Sequence, residues 1–372
     1  VTRFSKVAVA LAAATASVAL AAPVSAQPAA HADTQALLDT YQANGGPGAA
    51  VYAGNRTGTW ELHKGINSTI STRPIQAGDQ FRAASQTKTF VAAVVLQLVD
   101  EGRIVLDEPI ETYLPGVVQG NGYDGNAITV RQLLRHTSGI ARDVSGAQRD
   151  PDGTFRLAEL VRAGLTQPPL FAPGTGWSYS NVGYHVLGML IEQVTGTSAA
   201  DAVNTRIVQP LGLTRTKYPA AAETGLEAPY AHGYSGGRLG PFYFWTDVTI
   251  ADTTPWATAG AVVSTEEELA EFMQALADGR VMSAAARAEM RATVPSDLGD
   301  GLSYGLGLIR MDLTCGGAAW GHAGTVPGYS SATFATDDGR RAAVVTNTFV
   351  TGEHANDRWK VVDSALCDTP VA

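Results

Sequence analysis

Charge is scarce in this chain. Only 16 % of its 372 residues are Asp, Glu, Lys or Arg, against roughly a quarter in an average soluble domain. With 45 % hydrophobic residues alongside, that scarcity excludes a disordered polyelectrolyte. The 26 basic and 35 acidic residues leave a formal charge of −9, without any Lys/Arg run. Affinity for a phosphate backbone comes from clustered cations, so nucleic acid is excluded as a partner. Cysteine is nearly absent: Cys315 and Cys367 stand alone, no CxxC or HExxH pattern occurs, and no metal or cofactor is called for. Two isolated thiols in an oxidising compartment read as a structural disulfide, with two buried free thiols as the alternative. After residue 22 no stretch reaches the roughly 20 apolar residues of a membrane span.

What is present begins at the N-terminus. Arg3 and Lys6 precede an uncharged Ala/Val/Leu-rich stretch, Val7 to Ala22, which then turns small and polar through Pro23, Ser25 and Gln27. That pattern is a secretory signal peptide over residues 1–32, cleaved after Ala26 or after Ala32. A membrane anchor is the alternative, disfavoured by the short apolar stretch. The expectation is a secreted, monomeric protein with no membrane partner after cleavage.

Strand and helix patterns divide the rest. A helix is expected over Asp33–Tyr41, and Ala49–Ala53 with Thr59–Lys64 read as a hairpin. Ser85–Glu101 is helical and apolar all round, hence buried, and Gly102 ends it. The middle is helix and loop: Thr129 caps Val130–His136, Asn181 leads into a helix ended by Gly196, and Ser198 starts another. Ser264-Thr265-Glu266-Glu267 reads as a capping box opening a helix to Ala277, and Ser283 caps the next. Strands return at Tyr304–Leu313, Ala318–Thr325, Ser331–Thr336 and Arg340–Asn347, with Asp338-Gly339 as a hairpin turn. A helix from Asp357 to Leu366 follows. The fold class is α/β of the α+β type, an antiparallel sheet built from strands near both ends and flanked by helices. Residues 33–104 and 250–372 form this sheet domain, 105–249 an inserted, mostly helical one, and the active site lies between them.

Three short motifs carry chemistry. Ser85 and Lys88 sit three residues apart at the start of the buried helix, a nucleophile beside a potential base. Lys is basic enough only if burial or a neighbouring cation lowers its pKa. The helix N-terminus supplies unpaired N–H groups that favour an oxyanion near Ser85. Tyr179 and Asn181 sit at a loop-to-helix junction, where a phenol could relay the Ser85 proton. In His322-Ala323-Gly324-Thr325, small residues let a substrate backbone lie along a strand edge. A fourth pattern, Gly301-Leu302-Ser303-Tyr304-Gly305 with Asp312 and His322 following, fits an α/β-hydrolase esterase using Ser303. Its context is wrong, because loop precedes Ser303 and strand follows it.

Together, Ser-x-x-Lys, Tyr-x-Asn and His-x-Gly-Thr resemble the penicillin-recognising serine hydrolases, the serine DD-carboxypeptidase and class C β-lactamase family, and above all actinobacterial DD-peptidases. Similarity also runs through Phe90–Gly116, LRHTSG (134–139), PGTGWSYSN (173–181), AGAVVS (259–264) and WGHAGTVPGY (320–329). The positions of both cysteines agree as well. The resemblance implies the β-lactamase/transpeptidase-like fold, Ser85 as acylated nucleophile, and Lys88 and Tyr179 as the proton-transfer pair. It further implies Asn181 as a substrate-amide contact, His322 as an electrostatic partner, and the Ser85 and Thr325 N–H groups as oxyanion hole. Trp256 is expected as an aromatic wall of the cleft, with Tyr329 near it; a packed core aromatic is the alternative. A non-catalytic penicillin-binding sensor would lack Ser85, Lys88 or Tyr179, and all three are present.

Two departures bear on the substrate. The similar carboxypeptidases bind a free C-terminal carboxylate with an Arg and a Thr at positions that here hold Ile309 and Ala323. Arg310 is adjacent, but strand alternation turns it away from the cleft. The expectation is therefore hydrolysis or aminolysis of D-aminoacyl amides, esters or small peptides, with β-lactams as covalent inhibitors. D-Ala-D-Ala carboxypeptidase action is the second choice.

Overall fold

The computed structural model describes Val1 and residues 30–239, 242–350 and 352–371; the expected signal segment up to residue 29, with its Ala26 cleavage point, lies outside the described residues. Eight strands make one antiparallel sheet: β1 (Gly48–Gly54), β2 (Thr59–Gly65), β3 (Val294–Pro295), β4 (Leu302–Tyr304), β5 (Ile309–Asp312), β6 (Ala318–Val326), β7 (Tyr329–Ala335) and β8 (Arg341–Thr346). Their order is β2-β1-β8-β7-β6-β5-β4-β3, so the first strand pairs with the last, Val51 opposite Val344.

The central strands are buried on both faces. Ala49, Val51 and Ala53 of β1 pack with Leu38 and Tyr41 of α1 (Ala32–Asn44) and with Val361 and Val362 of α7 (Asp357–Asp368). Ala50 and Tyr52 point to the opposite face, where Tyr52 meets Ala270 of α6 (Glu266–Ala277). Small residues in β1 let helices approach from both sides, which is why the run Gly-Ala-Ala-Val-Tyr-Ala-Gly lacks polar alternation. Thr34 on α1 bonds to Ser364 (2.8 Å) and Asp368 on α7, and a Cys315–Cys367 disulfide ties the β5–β6 turn to the same helix.

Between the sheet and the other helices runs α2 (Thr87–Asp100), with 11 buried residues, including the Phe90 ring stacked on Phe272 at 3.8 Å. Replacing such a ring by alanine costs about 3–5 kcal/mol. Helices α3 (Val130–Leu134), α4 (Leu157–Gly164) and α5 (Asn181–Thr195) pack beyond it. Thr129 and Gln132 complete a capping box on α3.

Several boundaries differ from the sequence reading. The apolar run expected as one strand over Tyr304–Leu313 is a hairpin: Gly305 N–H donates to Leu308 O (2.8 Å), and Gly307 turns at φ +69°. A β-carbon on Gly307 would lie 2.4 Å from the Ala92 side chain, so this turn is buried against α2 and reads as strand because of its leucines. The cap of α6 is Thr265, which accepts from Glu268 N–H; Ser264 is held in a short pairing of Val263–Ser264 with Phe81–Arg82. Ser180 caps α5, and Asn181 is its first helical residue. Two hairpins, Gln119–Gly120 with Tyr123–Asp124 and Tyr234–Leu239 with Phe242–Asp247, interrupt the region read as mostly helical.

Candidate active site

Ser85 lies on one 3₁₀ turn, Ala84–Gln86, between the short strand Phe81–Arg82 and α2. Ala84 is left-handed, φ +53°, an unfavourable conformation for a residue with a β-carbon. Its neighbours hold it there: Thr87 Oγ1 donates to Ala84 O (2.6 Å) and accepts from Val262 N–H (3.0 Å), while Ala83 N–H donates to Val262 O (2.9 Å). The kink presents Ser85 to two adjoining cavities. One, of about 500 Å³, is lined by Phe155, Leu160, Pro255, Trp256 and Asn181. The other, of about 380 Å³, is lined by Tyr179, Ile309, His322, Ala323 and Arg358. Thr325 borders both.

Lys88, one turn on, is completely buried, with its amine 3.3 Å from Ser85 Oγ, 2.7 Å from Asn181 Oδ1 and 2.8 Å from Ala259 O. No carboxylate pairs with it among the described residues. Burial pushes its pKa well below the ordinary lysine value, the Asp143 charge opposing and the Arg142 charge adding to the shift. In the uncharged amine, two hydrogens serve Asn181 and Ala259, and the lone pair is left to accept the Ser85 hydroxyl proton. The three-residue spacing thus brings hydroxyl and amine together although Ser85 precedes the α-helix proper.

Tyr179 reaches the same serine from the loop before α5. Burial raises its phenol above the ordinary tyrosine value; a hydrogen bond with Ser85 and the Arg142 charge pull less strongly the other way. The Lys88 amine sits 4.8 Å from the centre of its ring. Asn181 is engaged within the protein at both ends, Oδ1 on Lys88 and Nδ2 on Asp143 (2.6 Å), so it links the amine to a carboxylate at the cleft mouth.

The edge of β6 forms the opposite wall. Beyond Gly321 it has no β5 partner, and Gly324 lies flat against the nucleophile's turn: a β-carbon there would be 2.0 Å from Ala83 O. Only glycine permits that approach. His322 is buried, with Nδ1 2.6 Å from Ala323 O and Nε2 2.9 Å from the Tyr304 hydroxyl. The Nδ1 proton donates to the carbonyl and Nε2 accepts from the phenol, which fixes one tautomer. Burial depresses its pKa to about 3, so His322 enters the site as a neutral dipole and not as a charge.

The structure also supplies a cation that sequence reasoning missed. Arg358, on the first turn of α7, donates from Nη1 to Thr325 Oγ1 (2.6 Å), and its Nε has no hydrogen-bond partner. No carboxylate pairs with it among the described residues. The expectation that a carboxylate entering the cleft meets no positive partner is therefore corrected: the guanidinium comes from α7, a helix remote in sequence from the motif strand. Arg310 does face away, paired with Asp312 at 2.6 Å, and Ile309 lines the cleft. Trp256 lines the first cavity and Ala323 the second, whereas Tyr329 is a fully buried core residue whose hydroxyl holds Ala231 O (2.8 Å). Ser303 stands in β4 opposite Arg310, away from both cavities that Ser85 lines, with strand after it and not a helix.

A serine beside a buried amine and a phenol, under a strand edge, defines an acyl-transferring serine hydrolase. Residues 34–366 match the family model described as Beta-lactamase, and the chain belongs to that family of penicillin-recognising serine hydrolases. It is 30 % identical to penicillin-binding protein 4 of Amycolatopsis lactamdurans over 80 % of this chain and 79 % of that one. It is 29 % identical to penicillin-binding protein 4* of Bacillus subtilis, spanning 61 % of that relative's length and matching over 73 % of its own. Among solved structures it is similar to a D-stereospecific amidohydrolase from Streptomyces sp., at 36 % identity and TM-score 0.79, over 91 % of this chain and 99 % of that one. The D-amino acid amidase of Ochrobactrum anthropi SV3 complexed with D-phenylalanine follows at 26 % and 0.78, over 90 % and 97 %. Fold, site and family together make this protein a serine hydrolase.

Proposed function

We propose that this protein is an exported, monomeric D-stereospecific amidohydrolase or esterase that forms an acyl-enzyme on Ser85. The Lys88 amine takes the Ser85 hydroxyl proton as Oγ bonds to the substrate carbonyl carbon. The resulting oxyanion rests on the N–H groups of Ser85 and Thr325. The Tyr179 phenol passes a proton to the leaving amine or alkoxide as the carbonyl–leaving-group bond breaks, and the Lys88 ammonium restores it. Water or a second amine then releases the acyl group by the same steps reversed. The observation that carries this reading is the buried Lys88 amine, without a carboxylate partner among the described residues, 3.3 Å from Ser85 Oγ. Burial acts in opposite senses on the two groups, which favours the amine as acceptor and the phenol as donor. The apolar cavity bounded by Trp256, Phe155 and Leu160 suits a hydrophobic D-acyl side chain. The amidohydrolase and amidase named above support the D-aminoacyl class. In the test, D- and L-phenylalanine methyl esters and amides are compared on wild type and Ser85→Ala. Turnover of the D-forms lost with Ser85 is expected; preference for the L-forms, or activity surviving in Ser85→Ala, overturns the reading.

Arg358 favours a second reading, in which the leaving group carries a carboxylate, as in an acyl-D-Ala-D-Ala peptide. A charge-assisted hydrogen bond there is worth roughly 1.5 to 3 kcal/mol, or about 10- to 150-fold in kcat/KM. Arg358→Met should then impair such a peptide by that factor and spare the D-phenylalanine amide. Equal effects on both substrates remove the carboxypeptidase reading.

A further inference from the structure

We infer that His136 is a positioning residue that clamps the Tyr179 phenol in line with Ser85, an inference that rests on the role proposed for Tyr179. His136 follows α3 in a left-handed conformation, φ +62°, at a position where glycine or asparagine is favoured. Its side chain gives that conformation a use. The backbone carbonyl of His136 accepts from Ser178 N–H (3.0 Å), and its ring Nδ1 accepts from Ser180 N–H (3.0 Å). The amides on either side of Tyr179 are therefore both fastened to one residue. The imidazole also supports the phenol ring laterally, with centroids 4.3 Å apart.

Because Nδ1 accepts an N–H, the ring proton lies on Nε2, an atom that is buried and has no hydrogen-bond partner. A structural histidine would satisfy both nitrogens; this one leaves a donor unpaired to keep an acceptor aimed at the loop. The groups around it hold it neutral. Burial among Tyr179, Tyr184, Tyr304 and Trp177 is the main cause, and the Arg142 charge acts in the same sense. A protonated ring would lose the acceptor at Nδ1 and release Ser180. Ser180 Oγ on Ala141 O and Asn181 N–H on Arg142 O would still hold the helix entry, but the peptide following Tyr179 would lose its tether to the ring and the phenol could drift off the Ser85–leaving-group line.

The experiment measures kcat and KM for D-phenylalanine methyl ester in His136→Gly, His136→Asn and Tyr179→Phe, with thermal melting to establish folding. Glycine tolerates the backbone conformation but has no acceptor; asparagine tolerates it and offers Oδ1 near the place of Nδ1. Displacing a catalytic group by an ångström costs on the order of 100-fold, so His136→Gly should lose about that in kcat with KM within roughly threefold. His136→Asn should recover to within about fivefold of wild type. A folded His136→Gly with wild-type kcat, or a folded His136→Asn as slow as the glycine variant, overturns the clamp. If the glycine variant does not fold, His136→Asn decides alone, near-wild-type kcat supporting the clamp and a loss of about 100-fold refuting it. Wild-type activity in Tyr179→Phe would refute the underlying role of the phenol. A dead Tyr179→Phe beside an unaffected His136→Gly refutes only the clamp.

Discussion

Gly324→Ala tests how the strand edge serves the nucleophile. The added β-carbon would meet Ala83 O at 2.0 Å and the Ala84 side chain at 3.0 Å. Ordinary contact begins at 3.4 Å, so β6 and the Ser85 turn must separate by about 1.4 Å. Neither partner yields easily: Ala83 is bonded to Val262, and β6 is paired with β7 along its length. The Thr325 N–H, one residue on and proposed above as an oxyanion donor, moves with the strand. Loss of one such donor costs about 2.7–4 kcal/mol of transition-state stabilisation, roughly 10²–10³ in kcat. The assay is steady-state hydrolysis of D-phenylalanine methyl ester, with Gly58→Ala, whose added β-carbon meets nothing within 4 Å, as the control. The control should behave as wild type, and Gly324→Ala should stay folded and lose kcat more than KM. A folded Gly324→Ala with kcat within about threefold of wild type would show that β6 need not touch the nucleophile's turn.

Three further outcomes follow from burial and covalent structure. His185 and His322 are buried with pKa values pushed down to about 3, and His136 is pushed well below its ordinary value. Their stabilisation is complete above the unfolded value near 6.5 and is lost as pH falls toward the folded values, at up to about 1.4 kcal/mol per pH unit for each ring. Urea unfolding between pH 7 and pH 5 should show this steepening, and a flat profile contradicts it. Glu266 has its carboxyl raised well above the ordinary value by burial, then by Glu61 and Asp79, so its contribution falls as pH climbs from about 4.5. Glu266→Gln should raise the Tm more at pH 8 than at pH 4.5, and the reverse order would refute a protonated carboxyl. Removing the Cys315–Cys367 bridge, which spans 52 residues, should cost about 4 kcal/mol on the chain-entropy account, measured on the double Ser variant. A loss under about 1 kcal/mol would set that account aside here.

Local chemistry was legible wherever few neighbours decide it. The Ser85–Lys88 spacing, the Thr129 cap and the Asp338-Gly339 turn each depend on a handful of adjacent residues. Gly339 turns at φ +95°, as a hairpin requires. Where tertiary contacts decide, the sequence misled or was silent. Leu306 and Leu308 read as strand because they are apolar, yet they are buried in a turn packed on α2, whose sharpness comes from Gly307. Ser264 and Thr265 are equally good caps in isolation, and the pairing of Ser264 with Phe81, together with its hydroxyl's bond to Thr216 (2.7 Å), selects the second. Arg358 carries no signal in its own neighbourhood, because its importance arises from Thr325, a residue on another element. His136 falls within LRHTSG, where the similarity was visible but the hydrogen bonds to residues 178 and 180 were not.

The pairing of β1 with β8 has a consequence for how the molecule comes into being. A ribosome delivers residue 51 long before residue 344, so the early strand waits with one side unsatisfied until β8 has been made. The guanidinium of Arg358 arrives later still. A nascent fragment that stops before β8 therefore has neither the closed sheet nor the wall that Arg358 adds to the second cavity beside Ser85.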